Sequence, residues 1–429
     1  MIRRQTHSPT MQPSSRYYGW TMLLGVSIAQ VTSWGILFYS IAVFLAPMQA
    51  DLGWSVTQIT GAYSLALLIS GVAAIPVGRL LDRSGARVLM SIGSIAATLL
   101  VLAWSQTSSL LAFYLIWVGI GFTMAAIFYE PAFYLVANWF HRLRGRALTL
   151  LTFIGGMASV IYVPLTAWLV DAVGWRNALL ILAALLLIGT LPIHALLLRH
   201  HPRDVGQEPD GGVISPTTSN HTTIEQPSTP LAAALRDPAF WWLTVAFVLA
   251  TLATMAMTVF FIPYLTDQGY STGFAAACAG ALGLLGLPGR LVLTPLGSIV
   301  PRHLLTALIF VLQAVSLIVL IEVRNTTGVI LFVVLFGAGF GAITPARAAM
   351  VADLYGPRHY GSISGVLAMC VTGARGIAPI GTGLLVTGFG SYRPVLWGLV
   401  FVSAVAAAAA YQARSRPTSQ PDAHAGVTS

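Results

Sequence analysis

The chain has no lysine, and charged residues of all kinds make up only 8% of its 429 positions, against about a quarter in an ordinary soluble domain. So little charge cannot coat a soluble globule of this size. There are only two cysteines, Cys278 and Cys370, both inside apolar runs, which leaves neither a disulfide framework nor a thiolate metal cluster. No group with metal-ligand spacing, no paired nucleophile and base, and no nucleotide-binding loop is recognisable. These absences exclude an enzyme and predict neither metal nor cofactor. Short loops leave no room for an ATP-binding domain, so any transport work must draw on ion or solute gradients. A cleavable signal peptide is not expected, because the first apolar run is too long and lacks a convincing processing site.

What the chain has in abundance is apolar sequence, at 56% of all residues. Runs of about 20 such residues, long enough to cross the ~30 Å hydrocarbon core as helix, recur with short polar breaks. Twelve are expected, at 19–46, 59–80, 88–104, 110–137, 147–170, 178–198, 240–265, 274–297, 304–321, 329–352, 362–387 and 395–411. The expected class is an all-α integral membrane protein, with the lipid bilayer as its first partner.

The net charge of +9 comes entirely from arginine, and its placement argues against a nucleic-acid partner. With the amino terminus inside, sixteen arginines fall on the cytoplasmic side, from Arg3, Arg4 and Arg16 through Arg142, Arg144 and Arg146 to Arg414 and Arg416. Only Arg176, Arg324 and Arg393 fall outside. Such a bias places both termini in the cytoplasm of a multi-pass protein of the cell membrane.

Residues 199–238 break the pattern with six prolines and many small polar residues, and read as a flexible cytoplasmic connector. They divide the chain into a six-span bundle at 1–198, the linker, a second bundle at 239–413 and a tail at 414–429. The halves look like diverged copies. The segment from Gly78 to Arg87 after the second span corresponds to Thr294 to His303 after the eighth, at an offset of 216 residues. Val136-Ala137-Asn138-Trp139-Phe140 likewise corresponds to Val351-Ala352-Asp353-Leu354-Tyr355, at an offset of 215.

Gly78, Leu80, Asp82, Gly85 and Arg87 fit G-x-L-x-D-x-x-G-x-R, and with them the chain resembles the major facilitator superfamily. The resemblance covers about residues 16–413 and implies two six-helix bundles that rock about a central site near the midplane. It implies a transporter. Gly78 permits close packing where the second helix ends. Asp82 offers a carboxylate to an arginine or a helix N-terminus, so Gly78, Asp82, Arg83, Gly85 and Arg87 are expected to form a cytoplasmic gate contact. Asp82 and Arg83 anchoring a turn is the plainer reading. In the second copy Ser298 stands for the aspartate and Pro301 for the glycine, so the expected gate is asymmetric.

Three arginines, Arg290, Arg347 and Arg375, and one acid, Glu130, interrupt the apolar spans. A charge at mid-bilayer costs at least about 2.5 kcal/mol, so it must face protein or a wet cavity. Prolines accompany all four: Pro288, Pro345, Pro379 and Pro131. Each frees a helix carbonyl, which is tolerable beside a cavity. Gly286-Leu287-Pro288-Gly289-Arg290 and Thr372-Gly373-Ala374-Arg375-Gly376 are similar to the monocarboxylate porter and oxalate/formate antiporter branch. So are Tyr18-Gly19-Trp20, Leu52-Gly53-Trp54-Ser55 and Gly174-Trp175-Arg176. The resemblance implies that Arg290 and Arg375 are substrate-carboxylate ligands, a role that suits the bidentate guanidinium fork. The chain departs from the porters at Gly286, where they carry an acid for proton coupling, and in having no first-helix lysine.

Three arginines less one glutamate leave +2, which favours a small organic anion, a mono- or dicarboxylate, and repels a cation. For Arg290 and Arg375 the alternative is interhelical glue on kink carbonyls. Glu130 is a candidate proton site, with a coupling proton or a counter-anion as second partner; the alternative is a permanent ion pair with Arg347. Arg347, Gln30, Trp34 and Tyr134 complete the candidate substrate contacts. Rival functions are a proton-coupled exporter of drugs or hydrophobic metabolites and a non-transporting membrane ligand sensor.

Overall fold

The computed structural model describes residues 17–211, 228–297 and 299–414. Arg3, Arg4, Arg16, Arg416, Ser298, the linker centre at 212–227 and the tail from 415 lie outside the described residues. Every regular element among the described residues is helical. In hydrocarbon a backbone satisfied within its own segment is what the apolar runs require.

The first helix, α1, spans Tyr18–Leu52 and contains a π-turn at Gly35–Tyr39. The next stretch, Val56–Ser105, is 50 residues of unbroken helical assignment except at Gly85, where φ is 73° and ψ 169°. A straight helix of that length would reach ~75 Å. Instead Tyr63 and Trp104, from its two ends, both pack edge-on against Trp117, with ring centroids 5.7 and 5.0 Å apart. The chain therefore doubles back, giving α2 (56–84) and α3 (86–105). The remaining spans are α4 Leu110–Trp139, α5 Arg144–Val173, α6 Trp175–Leu197, α7 Pro238–Asp267, α8 Thr272–Leu296, α9 Arg302–Glu322, α10 Thr326–Tyr355, α11 Tyr360–Phe389 and α12 Tyr392–Gln412. Eleven stretches are long and apolar enough to cross a bilayer, and the reversal at Gly85 makes twelve crossings.

The expected loop at 81–87 is absent. Helix continues through the motif because one glycine suffices to reverse the chain: its positive φ disfavours a side chain, and a Cβ there would strike His200. Elsewhere local rules set the ends. Ser55 and Gln58 form a capping box before α2, and Ser109, Asp237, Ser271, Asn325 and Ser391 cap their helices through side-chain oxygens.

Helices α1–α6 and α7–α12 form two bundles, each with an aromatic interior: Trp104, Phe113 and Trp117 in the first, Phe261 and Phe332 in the second. The outer surface is apolar, with Leu111 at 71% exposure and Ile188, Leu384 and Phe401 at 70%, as a lipid-facing surface must be. The bundles meet where α2 packs on α11, where residues 144–155 of α5 pack on α8 and α10, and where residues 129–139 of α4 pack on α10 and α11. These contacts run from mid-bundle to one face, the one at which α1 begins and α12 ends; we call it the terminal face. Gly78 lies on the Gly361 backbone and Gly365 on the Ala74 carbonyl, so closely that a Cβ at any of them would collide.

Both ends of the expected flexible connector are ordered against the bundles. Asp210, in the left-handed region at φ 60°, receives the backbone N–H groups of His141 (3.2 Å), Arg142 (2.8 Å) and Leu143 (3.2 Å). Gln207 receives the Tyr18 N–H at 3.0 Å. At the far end the Thr229 N–H donates to the Tyr355 carbonyl at 3.0 Å and the Tyr355 hydroxyl to Asp237 at 3.0 Å. Polar linker side chains thus find partners on the α4–α5 and α10–α11 turns, which composition alone does not reveal. Burial, then Arg144, holds the His141 imidazole below its ordinary range, with Asp210 opposing.

Candidate functional site

The intramembrane charges converge at the level where the bundles meet. Glu130 stands just after a break in α4 at Phe128, whose backbone is extended (φ −78°, ψ −156°). The break has a covalent cause: Pro131 has no N–H to offer the Ile127 carbonyl one turn back. Gln30 supplies the donor instead, its amide giving hydrogen bonds to the carbonyls of Ile127 (2.8 Å) and Phe128 (3.2 Å) while its oxygen receives Trp34 Nε1 at 3.1 Å. Gln30 is fully buried and its amide is occupied by this repair. In this conformation it therefore does not border the open space beside the arginines.

The broken helix presents Glu130 to the other bundle. Its Oε1 pairs with Arg347 of α10 and its Oε2 receives the Ser364 hydroxyl of α11. The phenol of Tyr360, wholly buried, lies in the electrostatic neighbourhood of the same pair.

Arg290 shows the same use of a proline. Pro345 frees the Gly341 carbonyl on α10, and Arg290 Nε of α8 donates to it at 2.9 Å. Its Nη1 donates to the Thr152 carbonyl of α5, in the opposite bundle, and fits there because Gly156 has no side chain. Arg290 is thus half-committed to kink carbonyls, neutral acceptors that leave its charge uncompensated.

Arg375 is different. Its guanidinium makes no hydrogen bond or ion pair among the described residues, it is solvent-accessible, and its charged and polar neighbours are Arg347, Glu130, Tyr39 and Tyr63. With Arg347 neutralised by Glu130, the net +2 at this level resides on Arg290 and Arg375. An unpaired cation in a low-dielectric interior attracts an anion strongly.

Trp34 is half-buried and stacks on Phe128, with centroids 4.2 Å apart. Tyr134 is elsewhere: it is buried beside His200, with centroids 6.0 Å apart, and belongs to the terminal face with Asp82. One helical turn after Glu130 at ~5.4 Å pitch carries it out of the central layer.

At the terminal face Asp82 receives the backbone N–H groups of Gly361 and Ser362, both at 2.8 Å, and the Ser362 hydroxyl at 2.5 Å. A carboxylate at the start of α11 meets unsatisfied N–H groups and the positive end of the helix dipole. Beside it Asp353 of α10 bridges Arg144 of α5 (2.5 Å) and Arg302 of α9. Arg87 Nε donates to the Ala195 carbonyl of α6 at 2.8 Å, within the first bundle, and Arg83 is exposed.

Ser364 and the Arg144–Asp353–Arg302 bridge were not anticipated from sequence. For Ser364 a signal existed: it lies eleven residues before Arg375, about three turns and so on one helix face.

The Major Facilitator Superfamily model matches residues 22–326 and 306–428. Monocarboxylate transporter 13 of Rattus norvegicus is 24% identical over 352 residues, covering 80% of this chain and 77% of that protein. Monocarboxylate transporter 2 of Homo sapiens is 22% identical over 402 residues, 90% of this chain and 83% of that one. Among solved structures the transporter FucP in its outward conformation superposes with a TM-score of 0.72 at 16% identity, covering 94% of this chain and all of that one; it supports the fold alone. On these matches and on its twelve-crossing fold, the chain belongs to the Major Facilitator Superfamily and is a membrane transporter, not an enzyme.

Proposed function

We propose that the protein is a secondary transporter of small organic anions, carboxylates foremost, that works by alternating access with its terminal face in the cytoplasm of the cell. The observation that carries this reading is Arg375: a guanidinium with five N–H donors, accessible, sharing Tyr39 as a neighbour with the uncompensated Arg290, and without an acceptor among the described residues. A carboxylate supplies both the charge and the paired acceptors that such a fork takes. The resemblance to the monocarboxylate transporters points the same way. The Glu130–Arg347–Ser364 cluster is the coupling element, since protonating Glu130 would release Arg347.

The test is carboxylate counterflow in proteoliposomes with Arg375→Gln and Arg375→Lys, each first checked for monodispersity in detergent. Arg375→Gln is expected to lose at least about 1.5 kcal/mol of binding, or tenfold, as a lost charge-assisted hydrogen bond predicts. Arg375→Lys retains part, having charge without the fork. Undiminished counterflow by a monodisperse Arg375→Gln protein would remove the proposal.

A further inference from the structure

Facing the two arginines, the first bundle presents aromatic rings rather than charge. Trp34 packs on Phe38 (centroids 5.0 Å) and on Tyr129 (5.1 Å), and Phe38 on Tyr39 (5.0 Å) and Tyr63 (5.7 Å). They come from three helices, α1, α2 and α4, and the π-turn at Gly35–Tyr39 is what places Phe38 and Tyr39 in the group. All five are partly exposed although they lie inside a membrane-spanning bundle, so they border open space rather than fill the core. The hydroxyls of Tyr39, Tyr63 and Tyr129 make no hydrogen bond to protein among the described residues. Tyr129 and Arg290 reach adjacent glycines of α5, the Tyr129 hydroxyl at Gly155 and Arg290 Nη1 at Gly156. Tyr39 and Tyr63 have Arg375 as a charged neighbour.

The space is thus bounded by guanidinium on one side and by ring faces and free phenols on the other. From this geometry we infer that the preferred substrate is an aromatic carboxylate, its acid group on Arg375 and Arg290 and its ring among Trp34, Phe38 and Tyr63. A short aliphatic acid satisfies the arginines but leaves the ring faces uncovered, whereas an aryl group stacks on them at the offset or edge-on separations that rings favour. A second carboxylate at the far end of the ligand meets no cation in the aromatic wall, so the polarity of the space suits a monoacid with a planar body. This inference rests on the anion reading above.

The test is thermal unfolding of the purified protein titrated with phenylpyruvate, phenylacetate, pyruvate, acetate and the neutral 2-phenylacetamide, since a ligand of the folded state raises its stability. We expect phenylpyruvate and phenylacetate to bind at least about tenfold more tightly than pyruvate and acetate, as burial of a phenyl ring implies. 2-Phenylacetamide should not bind. Phe38→Leu, which keeps an apolar side chain but removes the ring, should narrow the aromatic preference, the ratio of phenylpyruvate to pyruvate affinity, at least about threefold. Equal or tighter binding of pyruvate and acetate would overturn the aromatic class and leave the anion reading standing, as would a Phe38→Leu protein with an unaltered preference. Binding of the amide as tightly as the acids, or of none of the acids, would overturn both.

Discussion

Glu130 of α4 and Arg347 of α10 form an ion pair that joins the two bundles, and the Ser364 hydroxyl of α11 donates to the second oxygen of the same carboxylate. Helices α4 and α10 are counterparts in the two halves of the chain, so the pair ties equivalent elements of the two bundles together. Removing one partner of a fully buried pair costs about 3–5 kcal/mol, because the other charge is stranded; this pair is part-buried, with side chains 12% and 23% exposed, so its cost is smaller. Glu130→Gln is therefore expected to lower the unfolding temperature, and Glu130→Gln combined with Arg347→Met to recover much of the loss. In proteoliposomes Glu130→Gln should retain exchange but lose stimulation by an imposed pH gradient. Unchanged stimulation would reduce Glu130 to a structural partner of Arg347.

At the terminal face Gly78 lies on Gly361 and Asp82 accepts hydrogen bonds at the start of α11, and we propose that these contacts hold the face closed. A side chain at Gly78 would meet the Gly361 carbonyl, so Gly78→Val should hold the face open while each bundle stays folded. Asp82→Ala removes the acceptor of three hydrogen bonds and should act in the same direction by about 1–3 kcal/mol. Spin-label distances across the terminal face are the measurement; an unaltered distance distribution in Gly78→Val would show that the seam does not govern closure.

Asp353 is a single carboxylate shared by two arginines, Arg144 and Arg302, from opposite bundles. Asp353→Asn leaves the two cations facing each other, with Arg144 almost wholly buried. We expect a loss of several kcal/mol in the closed state, read as faster modification of a cysteine placed at Ala349. Arg302→Gln, which leaves Arg144 still paired, should cost much less.

Docking of the linker on the first bundle rests on Asp210, whose carboxylate collects the N–H groups of His141, Arg142 and Leu143. Asp210→Ala should cost about 1–3 kcal/mol locally and expose residues 199–211 to limited proteolysis, with the bundles intact. Because burial lowers the pKa of His141 in the fold, no proton-linked penalty on the fold exists above the ordinary histidine value of about 6.5, and the stability of the segment is fully present there. It is lost as pH falls below that, where the unfolded chain binds the extra proton more readily. Protease sensitivity of the segment should therefore rise as pH falls below about 6.5.

Much of the fold was legible along the chain. Apolar run length gave all twelve crossings, and the Gly78 to Arg87 motif marked a helix-terminus contact that Asp82 makes on α11. Span boundaries at the motif were not legible, since a helix that reverses at one glycine leaves no polar loop. The partners of Gln30 and Tyr134 were not legible for a related reason: helical spacing names a face but not which neighbour that face meets. Gln30 turned toward the carbonyls freed by Pro131, and Tyr134 toward His200.

The sequence by itself determined that this chain is helical and lipid-embedded, and that three arginines and one glutamate inside its spans must each face protein or a wet cavity. Those properties follow from hydropathy and from the cost of charge in hydrocarbon, which act residue by residue. Only the tertiary structure decided what each charge does. Arg347 is neutralised by Glu130, 217 positions away in the chain, and Arg290 is tied to carbonyls of Gly341 and Thr152. Arg375 alone keeps its fork free. The rotation and tilt of packed helices fix those partners, and no local pattern encodes them.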